Sequence, residues 1–228
     1  MSLYQYKGKS MPQRIVLTII QTVILATSGW ILFGGEETLN SWWGWTLGPG
    51  NGSRQLMLLI LYMIVYIRMM FTIYYLLKRS IHWEEAFSIP FAFGLYYIGF
   101  SLFSLTTAEA ITIWDGMIVL LFLAGSWVNT FSEWKRDQWK KRPENKGKVY
   151  DEGLFKYSTH INYFGDVLWV TALALLTRNP WALLIPLLLI CLFVFYNIPM
   201  LDRHLEEKYG KDFVEYQKKS KKLVPFIY

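Results

Sequence analysis

The chain is short of the residues that most catalytic chemistry relies on. It has one cysteine, Cys191, and three histidines, His82, His160 and His204, in 228 residues. A single cysteine cannot close an internal disulfide, which excludes a disulfide-built scaffold. Cys191 lies inside an apolar run and is expected to be a buried, inert thiol. No glycine-rich phosphate loop, zinc-ligand cluster or nucleophile elbow is present. Charge is also scarce, at 18% of residues, whereas an average soluble domain carries about 25%. There is no internal repeat and no low-complexity tract.

Apolar residues are abundant, at 54%, and they are blocked. Six runs stand out: 15–33, 56–77, 88–105, 111–131, 162–177 and 181–199. Most approach the ~20 residues that a bilayer-crossing helix needs. The first is too long, and too poorly flanked, for a cleavable signal. Arg178-Asn179-Pro180 separates the last two, which read as a tight helical hairpin. The expected fold is therefore all-α: a single polytopic membrane domain of about six transmembrane helices. In it, 15–127 forms the amino-terminal spans and 128–228 the carboxyl-terminal part.

The net charge is +6, and the cations test the count of spans. Twenty of the 23 Lys and Arg fall in four segments, 1–14, 78–87, 132–157 and 200–228, which lie on one side if there are six spans. Arg54 and Arg178 fall on the other side, and Arg68 lies inside a span. The positive-inside rule then places both termini in the cytoplasm. Basic residues that flank apolar runs point to membrane topology, not to nucleic acid. Segment 34–55, with its Trp and Gly clusters, suits the outer interface. Charged residues 133–137 are expected to carry the fourth helix past the membrane. In 200–222, Leu201, Leu205, Tyr209, Phe213 and Tyr216 recur every three to four residues. That spacing predicts an amphipathic helix on the cytoplasmic face.

Any chemistry must use polar residues at the cytoplasmic ends of the spans. The densest stretch is 129–166. Asn129 and Glu133 are four apart and share a helix face, with Lys140 seven further on the same stripe. Asn162 and Asp166 are again four apart, and an acid in an apolar helix is costly unless paired or functional. Cations, amides and carboxylates together suit a nucleotide cofactor: the cations take phosphate, and the others take sugar or base. Two plainer readings stay open. The basic loop serves equally as an orientation signal that touches anionic lipid, and Asn162 and Asp166 serve equally as helix-start residues.

These residues carry a resemblance. "GLFKYSTHINYFGD" (153–166), "KKSKKLVPFIY" (218–228) and, more loosely, "VNTFSEWKRDQWKKRP" (128–143) resemble signatures of the steroid 5-alpha-reductase family, in the same order. "YIRMMFTIYYLLKR" (66–79) is similar to an earlier span of that family. The resemblance implies a reductase that uses NADPH on a carbon–carbon double bond conjugated to a carbonyl, in a lipid-like, steroid- or isoprenoid-like substrate. It implies that Asn129, Glu133, Lys140, Asn162, Asp166 and Tyr209 contact NADPH, and Arg142, a cation of the same basic loop, is a further candidate for its phosphates. It implies that Tyr66 polarises the substrate carbonyl; Arg68, a lone cation inside a span, is a candidate to lie near the substrate on its own account. Glu133, Asp166 and Lys140 keep the charge of the family residues but change their reach. The acid that assists the tyrosine in that family has no counterpart in the first two spans.

The carboxyl-terminal part also resembles the isoprenylcysteine carboxyl methyltransferases, which use S-adenosylmethionine. Of their Arg-His-Pro and Glu-Glu motifs, only His160 and Asp202 remain here. That leaves a membrane methyltransferase, or a lipid-binding relative without catalysis, as alternatives. Arg68 stands midway along the second span, about 200° around the helix from Tyr66. It requires a cavity, a ligand or an acid such as Asp115 or Asp166.

Overall fold

A computed structural model describes residues 10–228; Lys7 and Lys9, counted among the amino-terminal cations, lie outside the described residues. The described residues are helical nearly throughout, and no β-strand forms among them. The helices are α1 (Met11–Gly34), α2 (Glu36–Trp43), α3 (Gly52–Phe71), α4 (Trp83–Gly94), α5 (Phe100–Ser104) and α6 (Ile113–Lys140). After them come α7 (Ile161–Leu176), α8 (Leu184–Leu192), α9 (Ile198–Tyr209) and α10 (Lys211–Lys219). Single π-helical turns extend α3 and join α4 to α5 and α8 to α9.

Five helical runs are long and apolar enough to cross a bilayer: Met11–Gly34, Gly52–Leu76, Trp83–Ser104, Ile113–Lys140 and Pro180–Tyr209. The chain is thus an all-α polytopic membrane protein. The fifth expected span, 162–177, is α7, which has only 16 residues. At 1.5 Å per residue it is about 24 Å long, short of a ~30 Å hydrocarbon core. It covers the expected run almost residue for residue, and just before it Ser158, Thr159 and His160 are engaged by the carboxyl-terminal tail. The amides of Thr159 and His160 donate to the carbonyls of Lys221 (2.8 Å) and Lys222 (3.1 Å). The Ser158 hydroxyl donates to Lys222 and Leu223. The helix ends in a turn at Arg178, which takes φ 59°.

The described chain forms two compact units. One holds the residues up to Ile118 together with Leu173–Ile185; the other holds Val119–Ala172 and Pro186–Tyr228. In the first, α1 turns Leu17, Gln21, Leu25, Ser28, Ile31 and Leu32 inward at helical spacing. At one end of this unit, Arg14 donates to the carbonyls of Leu77 (2.9 Å) and Arg79 (3.0 Å). At the other end, Asp115 is fully buried between two arginines. Arg178 reaches it at 2.8 Å, and the buried Arg54 at 3.6 Å. Arg54 also donates to the carbonyls of Glu109 and Ala110. The Asp115 hydrogen bond holds the Arg178 guanidinium above its usual pKa.

In the second unit, α6 and α7 cross at two glycines. A Cβ on Gly165 would lie 2.5 Å from the Asn129 nitrogen and 2.8 Å from the Gly125 carbonyl oxygen. One on Gly125 would lie 2.6 Å from Leu168 and 2.7 Å from the Trp169 nitrogen. Small residues let backbones approach closely where lipid gives no hydrophobic drive. Beyond this crossing, Tyr150, Phe155, Ile161, Phe213 and Tyr216 form a buried cluster. Burial pushes the Tyr216 phenol up, so it stays protonated and donates to the Phe155 carbonyl at 2.7 Å.

Three expectations are corrected. The 200–222 amphipathic helix is two helices, broken at Gly210, whose φ of 57° and ψ of −129° suit only glycine. Its first part, α9, runs on from the last span. Cys191 is exposed; an apolar run in a membrane protein has a lipid-facing side as apolar as its core, so composition does not distinguish the two. Asp115, offered as a partner for Arg68, is engaged by Arg54 and Arg178.

Two outcomes follow from this packing. Gly165→Ala and Gly125→Ala are expected to lose about 1–3 kcal/mol through overpacking, seen as a lower thermal midpoint in detergent. Gly116→Ala, where a Cβ meets nothing within 4 Å, should be neutral. Equal midpoints for all three would mean that the crossing is not tight. Asp115→Ala leaves Arg54 buried against an uncompensated charge and is expected to cost about 3–5 kcal/mol. A loss below ~1 kcal/mol would show the pair to be screened.

Candidate functional site

The α6–α7 crossing sets the polar group at its edge. With Gly165 against its backbone, Asn129 stands opposite the start of α7, and its side-chain amide donates to the Asn162 carbonyl at 3.1 Å. Asp166, one turn on from Asn162, accepts from the Trp169 indole at 2.8 Å. Asn129, Asn162 and Asp166 are half-buried. The structure therefore brings together three of the residues singled out in the sequence.

Along α6 from Asn129 the stripe continues through Glu133, Arg136 and Lys140. Glu133 and Arg136 form an ion pair. Arg136 lies 5.2 Å from the Phe155 ring centre. Lys140 stands within electrostatic reach of Arg136, Glu133 and Lys208 of α9. The Lys208 ammonium in turn is 5.1 Å from the ring of Tyr209, which packs against the buried cluster. Arg136 and Lys140 thus share a stripe with Glu133, and Lys208 of the second helix lies near Lys140. Sequence spacing placed Glu133 and Lys140 correctly on one face. It missed Lys208, which no local pattern on α6 could supply.

Arg142 belongs elsewhere. It lines a cavity of about 470 Å³ on another side of α6, along with Lys135 and Gln138. None of the other six expected cofactor contacts lines that cavity. The two residues retained from the methyltransferase motifs bond to each other: His160, fully buried, meets the Asp202 carboxylate at 2.8 Å. His160 also stacks on Tyr163, and Tyr163 on Phe193.

Tyr66 and Arg68 lie in the first unit. The Tyr66 hydroxyl is 2.8 Å from the Thr22 hydroxyl across α1 and α3. Arg68 follows Tyr66 by two residues along α3. Tyr97 packs on Tyr62 with ring centres 5.0 Å apart, and Ser101 bonds into the same group. Gln21 of α1 is 1% exposed, and among the described residues its side-chain amide has no hydrogen-bond partner. Sequence reading passed over Gln21, though it is the one amide in the run 15–33.

Comparison with known proteins places these features in a family. Residues 86–220 match the family described as "Protein of unknown function (DUF1295)". The chain is 32% identical over 110 residues to 3-oxo-5-alpha-steroid 4-dehydrogenase 2 of Sus scrofa, covering 48% of this chain and 41% of that protein. The Homo sapiens protein of that name is 31% identical over the same coverage. This chain is also 26% identical over 88 residues to protein-S-isoprenylcysteine O-methyltransferase B of Arabidopsis thaliana, 39% of this chain and 45% of that one. The chain thus matches less than half the length of these relatives, which are enzymes by name. Because the family match runs through α6, α7 and the α9–α10 segment and covers more than half of the chain, this protein belongs to the DUF1295 family.

Proposed function

We propose that the protein is an NADPH-dependent reductase of a conjugated carbon–carbon double bond in a lipid-like substrate. The observation that carries this reading is the group on α6, α7 and α9. Arg136 and Lys140 share a stripe of α6 with Glu133, Lys208 lies near Lys140, and the same stripe leads to Asn129, which meets the start of α7 at Asn162. The donor set fits a phosphorylated dinucleotide. Three cations suit phosphate, and amides and carboxylates suit ribose hydroxyls and a nicotinamide carboxamide. NADPH, when bound, supplies hydride. Arg136, Lys140 and Lys208 would neutralise phosphate charge, and Asn129, Asn162 and Asp166 would orient the sugar and base. Tyr209 offers an aromatic edge to the same group. Arg142 is left outside this set because it lines the separate cavity.

On the substrate side, Tyr66 is assigned the hydrogen bond to the carbonyl as its oxygen gains charge, with Arg68 lining the substrate region. No carboxylate of α1 or α3 assists the tyrosine. The buried amide of Gln21 is the polar group that α1 offers instead; it can bond a neutral oxygen but cannot titrate. Both termini are assigned to the cytoplasm, the side of the nucleotide. The relatives that are methyltransferases support a second reading, with S-adenosylmethionine as cofactor. The His160–Asp202 bond weighs against it, since each of the two retained motif residues already satisfies the other.

Two measurements test the proposal. Asn162→Ala and Asp166→Ala should weaken NADPH binding about tenfold or more, since hydrogen bonds to charged or polar ligands are worth ~1.5–3 kcal/mol. Wild type should bind NADPH more tightly than NADH, and less tightly as salt is raised. Tighter binding of S-adenosylmethionine than of NADPH would give the cofactor to the second reading. In sealed membrane vesicles, added NADPH should drive reduction of enone lipids only when the cytoplasmic face is outward. Tyr66→Phe should abolish that turnover while NADPH binding persists. Full turnover in Tyr66→Phe would remove Tyr66 from the reaction.

A further inference from the structure

The cavity of about 470 Å³ that holds Lys135 and Arg142 belongs to neither group above, and its size is that of a small-molecule site. Its position on α6 suggests the kind of ligand. Leu120, Leu123 and Trp127 follow one another at helical spacing and are 60%, 44% and 54% exposed. In a membrane helix such a stripe faces lipid. It runs directly into the cavity wall, because Trp127 stacks on Phe131 with ring centres 4.7 Å apart, and Phe131 meets Trp134 at 6.0 Å. Aromatic residues at the end of an apolar stripe mark the headgroup level of a bilayer.

Polar chemistry begins where the aromatics end. The Lys135 ammonium lies 5.4 Å from the Phe131 ring centre and 5.3 Å from that of Trp134. Gln138 and Arg142 line the same cavity further along the chain. Facing them is Glu152, whose carboxylate accepts from the Trp139 indole at 3.1 Å and keeps acceptor capacity beyond that bond. Gly153, at φ 59°, makes the turn that presents Glu152, and a Cβ there would meet the Tyr150 hydroxyl at 3.1 Å. Two cations, an amide and one carboxylate thus share a cavity at the end of a lipid-facing stripe.

We infer that this cavity holds the headgroup of an amine-bearing membrane phospholipid. Lys135, Arg142 and Gln138 take the phosphodiester, Glu152 takes the ammonium, and the chains lie along Trp127, Leu123 and Leu120. The carboxylate is what selects this class. A purely anionic headgroup would be drawn by the cations and repelled by Glu152, whereas a phosphoethanolamine satisfies all of them. A nucleotide would have no use for the apolar stripe.

The test is native mass spectrometry of the full-length protein, purified in detergent, stripped of lipid and titrated with phosphatidylethanolamine or phosphatidylglycerol of matched chains. Wild type should retain one phosphatidylethanolamine about tenfold more tightly than phosphatidylglycerol, and neither inorganic phosphate nor NADPH should displace it. Lys135→Ala and the stem-preserving Lys135→Met should each weaken retention about tenfold. Glu152→Gln should abolish the preference between the two lipids. Lys218→Ala, an exposed lysine on α10, should change nothing. Equal retention of both lipids by wild type, or undiminished retention in both Lys135 variants, would overturn the inference. Displacement of the lipid by NADPH, one for one, would give the cavity to the cofactor and overturn it as well.

Discussion

Two helix backbones, α6 and α7, meet with no side chain between them, and the polar group of the second unit depends on that contact. In lipid there is little hydrophobic gain from bringing helices together, so shape and close approach must do it. Gly125 and Gly165 leave out two Cβ atoms that would hold the helices apart. The approach aligns Asn129 with the first turn of α7 and lets its amide reach the Asn162 carbonyl. A Cβ at Gly165 would strike the backbone of Asn129 itself. The packing contact and the proposed cofactor contact are therefore one piece of structure.

Around that contact, polar groups in an apolar chain are dealt with in two ways. Some are closed on each other. Asp115 is held by Arg54 and Arg178, and His160 by Asp202. Such pairs fix loops and helix starts, and breaking one costs more than forming it gains. Others are left less well compensated. Arg136, Lys140 and Lys208 crowd one region although like charges repel, and the amide of Gln21 is buried without a hydrogen-bond partner among the described residues. An arrangement that costs stability in the ligand-free chain is the arrangement expected of a binding site.

Much of this was legible in the sequence. Runs of apolar residues gave the spans, and the charges at 133–137 correctly carried α6 to Lys140. Helical spacing put Asn129, Glu133 and Lys140 on one stripe, and the 153–166 and 218–228 segments pointed to the right family. The short α7 was legible as the 16-residue run 162–177, but the contact just before it was not, because the tail that occupies Ser158–His160 comes from more than 60 residues away. The place of Lys208 beside Lys140, and the bond between His160 and Asp202, were hidden for the same reason: each joins segments far apart in the sequence. Cys191 was misjudged because a lipid-facing surface and a protein core share one composition. The cavity beside Lys135 escaped notice because the cations of 135–142 read as a single basic patch, whereas α6 directs Lys140 to one side and Lys135 to another.

The central claim is that the glycine crossing assembles the nucleotide site. Equilibrium titration of NADPH into Gly165→Ala, held well below its thermal midpoint, tests that claim most directly, with Gly116→Ala alongside. The account predicts that Gly165→Ala binds about tenfold more weakly or worse, which is the loss of one hydrogen-bonded contact, while Gly116→Ala binds as wild type does. Undiminished NADPH affinity in folded Gly165→Ala would contradict it.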